Sequence, residues 1–277
     1  MCLFRHYRLA ILIFSLLLFV VTCAASRTGE SEAVHLPMVD QNALYPGGYI
    51  VLSSSGVQAD LFGTGSLNNI ILNAYGVSDS DPLFWVLNVD GVQRGALIQP
   101  NGGIYGPGTR LEARDITEDG NPELLIYRYN HGTSSGVGLH IYSPVMGWEP
   151  IFTLENPFGI SAGDDSRFKV KYSGNYIVQF FDQFTGLKAQ IALDPERYRE
   201  QEMYLKTIST WVEPVSEYVV ESAKITASAR IIGISHPDTL ALLRTTYEWN
   251  GLEFVSKLYG LYAEDGKPIR VLDIGYN

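Results

Sequence analysis

From Tyr49 onward, apolar, β-branched and aromatic residues come in short runs, and Gly, Asn, Asp or Pro interrupts each one. That punctuation predicts short strands joined by turns. The runs are Tyr49–Ser54, Asn69–Tyr75, Leu83–Val89, Arg94–Gln99, Thr109–Asp115, Glu123–Tyr129, Gly138–Ser143 and Glu149–Leu154. Phe168–Tyr172, Tyr176–Phe181, Leu187–Leu193, Lys224–Ile234, Leu240–Trp249 and Leu252–Tyr259 follow. Turn chemistry separates them at Asp90-Gly91, Asp119-Gly120, Ser173-Gly174-Asn175 and Asn250-Gly251. One stretch departs from the pattern. Asp194-Pro195-Glu196-Arg197 has an N-cap, a proline at the first helical position and an acid in the first turn. Tyr198, Leu205, Ile208 and Val212 continue it at helical spacing, which predicts one inserted helix near 195–209.

The strand pattern repeats. Asp60–Leu72 lies over Asp115–Ile126 at an offset of 55 residues: each has an Asp, a turn with Gly at its sixth position (Gly65, Gly120), then an apolar strand. Leu83–Leu87 then matches Gly138–Tyr142, and a Gly-containing turn and a last strand follow in both. The hairpin Leu242–Leu258 resembles the end of such a unit, and 168–193 supplies three more strands. Each unit is a small antiparallel meander that cannot bury one face alone, so neighbours must stack or close around an axis. The expected fold class is therefore mainly β, an array of antiparallel four-stranded meanders with one inserted helix. The array is propeller-like, closed or incomplete, with a β-sandwich as the alternative.

At Asp115–Leu124 the pattern Asp-x-Thr-x-Asp-Gly-x-x-Glu-Leu resembles the signature of VCBS or FG-GAP-type repeats. That resemblance implies propeller-like blades in a secreted or surface protein. The residues themselves also make a candidate cation loop. Alternating acids in a tight turn converge oxygens on one point, as Ca²⁺ requires. Asp115, Asp119 and Glu123 would supply carboxylates, with Thr117 and the Asn121 carbonyl completing the set. The competing reading is a hairpin turn capped by Asp115. The first unit, with Phe62 and Thr64 in place of acids, keeps the same turn.

The N-terminus bears on location. After Arg5 and Arg8, Leu9–Thr22 is an uncharged and almost wholly apolar run, the length of a secretory h-region and shorter than a membrane-spanning helix. Cys23 ends it and, with Val20-Val21-Thr22 before it, resembles the lipobox of bacterial lipoproteins, although Val and Thr depart from the usual Leu and small residue. The expected organisation is a signal peptide over 1–22, a flexible spacer over 23–45 rich in small and polar residues, and one β-repeat domain over 46–277. Cys23 is the candidate lipidation site and a membrane the expected partner. Loss of 1–22 removes two arginines and no acid, moving the net charge from −10 to −12.

That acidity argues against a nucleic-acid partner, which needs basic stripes. Two cysteines cannot build a disulfide scaffold or a structural zinc site. Ser235, His236 and Asp238 are nearly adjacent, whereas a catalytic triad draws its members from separate segments, so 233–238 reads as a loop capped by Asp238 or Ser235. The Gly/Ser connection after His131 lacks the Lys of a phosphate loop. Its exposed position makes His131, Ser134 and Ser135 candidate ligand contacts. Trp85, Tyr142, Trp148, Tyr247 and Trp249 are expected to fill the space between sheets, with sugar stacking as the alternative. The function this points to is a non-catalytic, lipid-anchored binding or structural module of the bacterial envelope, its partner a cell-surface glycan or protein. A calcium-dependent ligand or glycan binder and an extracytoplasmic hydrolase stand as alternatives.

Overall fold

In a computed structural model, residues 48–78, 81–100, 105–131, 136–155, 167–208 and 210–275 are described, all within one compact unit, Leu36–Asn277. The chain is mainly β, as its pattern predicts, and every strand pairing is antiparallel. Four sheets form in chain order. The first is β1 (Ile50–Ala59), β2 (Asn68–Gly76), β3 (Phe84–Val89) and β4 (Val92–Ile98). The second is β5 (Tyr105–Arg114), β6 (Glu123–Asn130), β7 (Val137–Ser143) and β8 (Glu149–Leu154). The third holds β9 (Phe168–Gly174), β10 (Ile177–Asp182) and β11 (Lys188–Ala192). The fourth holds β12 (Val212–Glu221), β13 (Lys224–Ile232), β14 (Thr239–Trp249), β15 (Phe254–Tyr262) and β16 (Pro268–Asp273).

The first two sheets are equivalent meanders, with β1 and β5, and likewise β2 and β6, starting 55 residues apart. Their leading strands lie against each other, Ser55 Oγ donating to the Thr109 carbonyl at 2.8 Å. Ile70, Leu72, Trp85 and Leu87 of the first sheet pack face to face on Leu124, Ile126 and Tyr142 of the second. The opposite face of the second sheet is also covered. Leu125, Tyr127, Leu139 and Ile141 meet Val220, Ile225 and Phe254 of the fourth sheet. With both faces buried, β6 and β7 read as nearly unbroken apolar runs. The third sheet packs Phe168, Val170, Val178 and Phe180 on Ile231, Ala241 and Leu261 of the fourth.

The sheets are therefore stacked in a sandwich-like way and do not make the propeller expected from the repeat. No described core cluster joins the third sheet to the first, so no ring closes. The reason lies in the fourth sheet. Ile225, Ala227, Ala229 and Ile231 alternate along β13 onto one face. That single face is covered by the second sheet at its Ile225 end and by the third sheet at its Ile231 end. In a propeller the two neighbours would take opposite faces.

The helix is also shorter than expected. Asp194 Oδ1 accepts the Glu196 N–H at 2.9 Å and caps Pro195–Tyr198, a 3₁₀ turn follows over Arg199–Gln201, and Glu202–Leu205 ends the segment. Tyr198 and Leu205 are buried and Ile208 packs beside them, but Val212 reaches the same core as the first residue of β12. The aromatics Trp85, Tyr142, Trp148, Tyr247 and Trp249 lie in or against the clusters between sheets.

Candidate functional site

The Asp115–Glu123 loop joins β5 to β6, and its side chains serve its own backbone. Asp115 Oδ2 accepts the Gly120 N–H at 3.0 Å, and Asp119 Oδ1 that of Asn121 at 2.8 Å. Glu123 is buried: its Oε2 accepts the Ile116 and Thr117 N–H groups at 2.9 and 3.3 Å, and its Oε1 the Thr117 hydroxyl at 3.0 Å. Burial raises its carboxyl pKa against these hydrogen bonds. The first repeat uses the same scheme. Asp60 Oδ2 accepts the Gly65 N–H at 2.5 Å, and Asn68 Oδ1, an uncharged acceptor in the place of Glu123, takes the Leu61 N–H at 3.1 Å. Gly65 and Gly120 both have positive φ, 80° and 89°, which the sixth turn position demands. An added Cβ on Gly63 would stand 3.4 Å from Asn121 Oδ1, so the two loops are neighbours. Among the described residues, no three His, Cys, Asp or Glu side chains form a group that would hold a metal ion.

His131 Nε2 pairs with Asp81 Oδ1 at 2.8 Å on the surface. Ser134, Ser135 and Cys23 lie outside the described residues. The 233–238 loop is built as expected: Asp238 Oδ2 accepts the Ile234 N–H at 2.9 Å. Asp238 Oδ1 also holds the helical insertion, accepting the Tyr198 hydroxyl at 2.6 Å and Arg197 Nη2 at 2.9 Å.

A second polar cluster sits between the first two sheets. Arg128 is buried between the rings of Trp85 and Tyr105, 4.8 and 4.3 Å from their centroids, and pairs with Glu155. The Tyr105 hydroxyl donates to Glu155 Oε2 at 2.5 Å, and His140 Nε2 lies 2.9 Å from Oε1. Burial drives the His140 pKa down; burial would raise Glu155, but His140, Arg128 and Tyr105 together hold it below the usual carboxylate range. Glu155 gathers Arg128, His140 and Tyr105, and Arg128 Nη1 donates to the Ile98 carbonyl at 3.1 Å, which fastens the end of β8 to both sheets.

A space open to a ligand lies elsewhere. Where the second and third sheets meet over the fourth, Ala227, Ala229, Thr245 and Ser256 are too small to fill the seam, and a cavity of about 320 Å³ opens. Phe168, Val215, Leu243 and Tyr259 give it an apolar wall. Arg167 and Thr185 bring polar groups to it from the third sheet, and Glu213 from the fourth. Arg167 makes a bidentate pair with the fully buried Asp182, Nε to Oδ1 at 2.8 Å and Nη2 to Oδ2 at 2.7 Å. Its guanidinium also lies 4.8, 5.1 and 5.6 Å from the Phe168, Phe184 and Tyr259 ring centroids. Burial alone would raise Asp182, but Arg167, the Tyr259 and Thr185 hydroxyls and the Phe184 N–H outweigh it and hold the carboxyl at about 2. Glu213 is buried and bound by Arg230 Nε at 2.7 Å, and His236 Nδ1 stands 2.8 Å from its Oε1. His236 also lies against Trp211, 5.6 Å between ring centroids.

None of these residues stood out in the sequence. Arg167 precedes a strand start, and Glu213 follows a valine that fits the helical spacing; an acid inside the run Val212–Val215 was the available signal. All but Leu154 and Ile274 of the cavity's lining falls within residues 166–262. That segment matches the family model described as the YybI C-terminal domain. No curated protein matches the chain. The match replaces the VCBS or FG-GAP resemblance of Asp115–Leu124: the family found is a different one, it covers β9 to β15 and not the Asp115 loop, and the sheets form no propeller.

Proposed function

We propose that the chain is a non-catalytic binding module of the cell envelope, tethered through Cys23, and that the cavity between the second and third sheets over the fourth is its ligand site. The observation that carries this is the cavity itself, about 320 Å³ and lined almost wholly by the segment that matches a known domain family. Its size is at the lower end for small-molecule sites, and a seam between packed units is where such sites form. The charged groups on its lining are engaged in ion pairs, Arg167 with Asp182 and Glu213 with Arg230, which suits holding a ligand better than transferring protons to it. The tether rests on the apolar run Leu9–Thr22 followed by Cys23.

A thermal-shift screen of small molecules tests the site. A ligand that binds only the folded state raises the melting temperature with concentration. Some compounds are expected to do so in the natural protein and not in Ala229→Leu, whose side chain enters the cavity. Shifts that persist in Ala229→Leu would refute the assignment. For the tether, cells fed labelled palmitate should yield labelled protein in the membrane fraction, and Cys23→Ser should abolish the label. An unchanged label in Cys23→Ser, or none in the natural protein, refutes lipidation there.

A further inference from the structure

We infer that the cavity takes an uncharged molecule with an apolar body; the inference rests on the reading of the cavity as the ligand site. Charge balance around the lining carries it. Arg167 and Glu213 are the lining residues with a formal charge at neutral pH, and each is already neutralised in place. Asp182 holds Nε and Nη2 of Arg167, so an incoming anion would meet a guanidinium whose charge a buried carboxylate already matches. With its pKa held at about 2, that carboxylate is never protonated out of the way near neutrality. On the other wall Arg230 pairs with Glu213, so a cation meets a carboxylate with its charge already matched. An ion of either sign would give up its hydration and meet only charges that are already matched, which is unfavourable in a site walled by Phe168, Val215 and Leu243.

The polar groups that remain are hydroxyls. Thr185 already donates to Asp182 Oδ2 at 2.9 Å, which leaves Thr245 and Ser256 on the lining, and a hydroxyl both donates and accepts, which matches a carbonyl, ether, amine or hydroxyl of a neutral ligand. Near Arg167 and Thr185 stands Phe184, 80% exposed on the β10–β11 turn. Its ring can cover a flat apolar body as it enters.

Two fluorescent probes with one shared body provide the test. N-phenyl-1-naphthylamine is neutral at pH 7, and 8-anilino-1-naphthalenesulfonate adds a sulfonate to the same anilinonaphthalene frame. Each is titrated into the natural protein and into Ala229→Leu and Ala227→Val, with circular dichroism confirming that the variants fold. The neutral probe is expected to bind at least roughly tenfold more tightly than the sulfonate and to lose roughly tenfold or more in the filled variants. Equal affinity for the two probes, or preference for the sulfonate, overturns the uncharged-ligand inference and leaves the cavity as a binding site. Binding of neither probe, or binding that both substitutions leave unchanged, overturns the cavity reading and the inference with it.

Discussion

Asp182 has no exposed surface and accepts hydrogen bonds from Arg167, Thr185 and the Phe184 N–H, so its ionised form is strongly favoured in the folded chain. Its folded pKa of about 2 lies below the ordinary value of 3.8. A depressed carboxyl contributes stability that is present above the ordinary pKa and is lost as pH falls through the folded one. The protein should therefore lose about 2 kcal/mol of stability from this group between pH 4 and pH 2. Asp182→Asn should cost about 3 kcal/mol at pH 7, because Arg167 then keeps its charge without an anion, and should flatten that acid limb. Urea unfolding at stepped pH measures both; an unchanged acid limb in Asp182→Asn would show that the pair does not control it. At this scale the sequence was readable where partners are local. Asp60, Asp115 and Asp238 cap turns within a few residues of themselves. It was not readable at Arg167 and Asp182, or at Glu213 and Arg230, whose partners are 15 and 17 residues away on other strands. In the repeat, Glu123 and Asn68 do one backbone-capping task at equivalent positions, one with a carboxylate and one with an amide oxygen.

At the scale of elements, the strands announced by alternating runs and Gly-containing turns formed close to their expected limits. The first strand of each meander extends further, to Ala59 in β1, where pairing with β2 carries it through Ser55 and Gly56, and back to Tyr105 in β5, which pairs with Asn130 of β6 across a register shift. Two strands were missed, β12 and β16. Val212 continues a helical spacing through Tyr198, Leu205 and Ile208, and nothing local shows that the chain turns into a strand there. β16 carries Pro268, and its residues are half-buried or exposed at the sheet edge, so it has little apolar pattern. What secures β16 is a close approach at Gly260, where an added Cβ would lie 2.5 Å from the Arg270 carbonyl oxygen and 2.9 Å from the Val271 Cα. Backbone atoms cannot swing aside as a side-chain end can. Gly260→Ala should cost about 1–3 kcal/mol and loosen β16. Amide hydrogen exchange is the appropriate readout: faster exchange confined to β15 and β16 is expected, and unchanged protection there would contradict the close approach.

For the whole molecule, the 55-residue repeat correctly foretold two equivalent meanders but not their arrangement with the rest. Sequence periodicity reports which residues face away from water, not which neighbouring sheet covers them. Here one long face of the fourth sheet receives both the second and the third sheets, and that sharing replaces ring closure and leaves the seam. The cavity follows from the same arrangement, because its lining combines residues of the second, third and fourth sheets that no local pattern links. The central claim is that this seam is where the protein binds. Methyl-resolved NMR of the Ala-, Val- and Leu-labelled protein, titrated with N-phenyl-1-naphthylamine, tests it most directly. Saturable shifts are expected at Ala227, Ala229, Val212, Val215 and Leu243, with Leu72, Leu87 and Leu124 between the first two sheets unmoved. Shifts centred on that second group, or none at the seam, would contradict it.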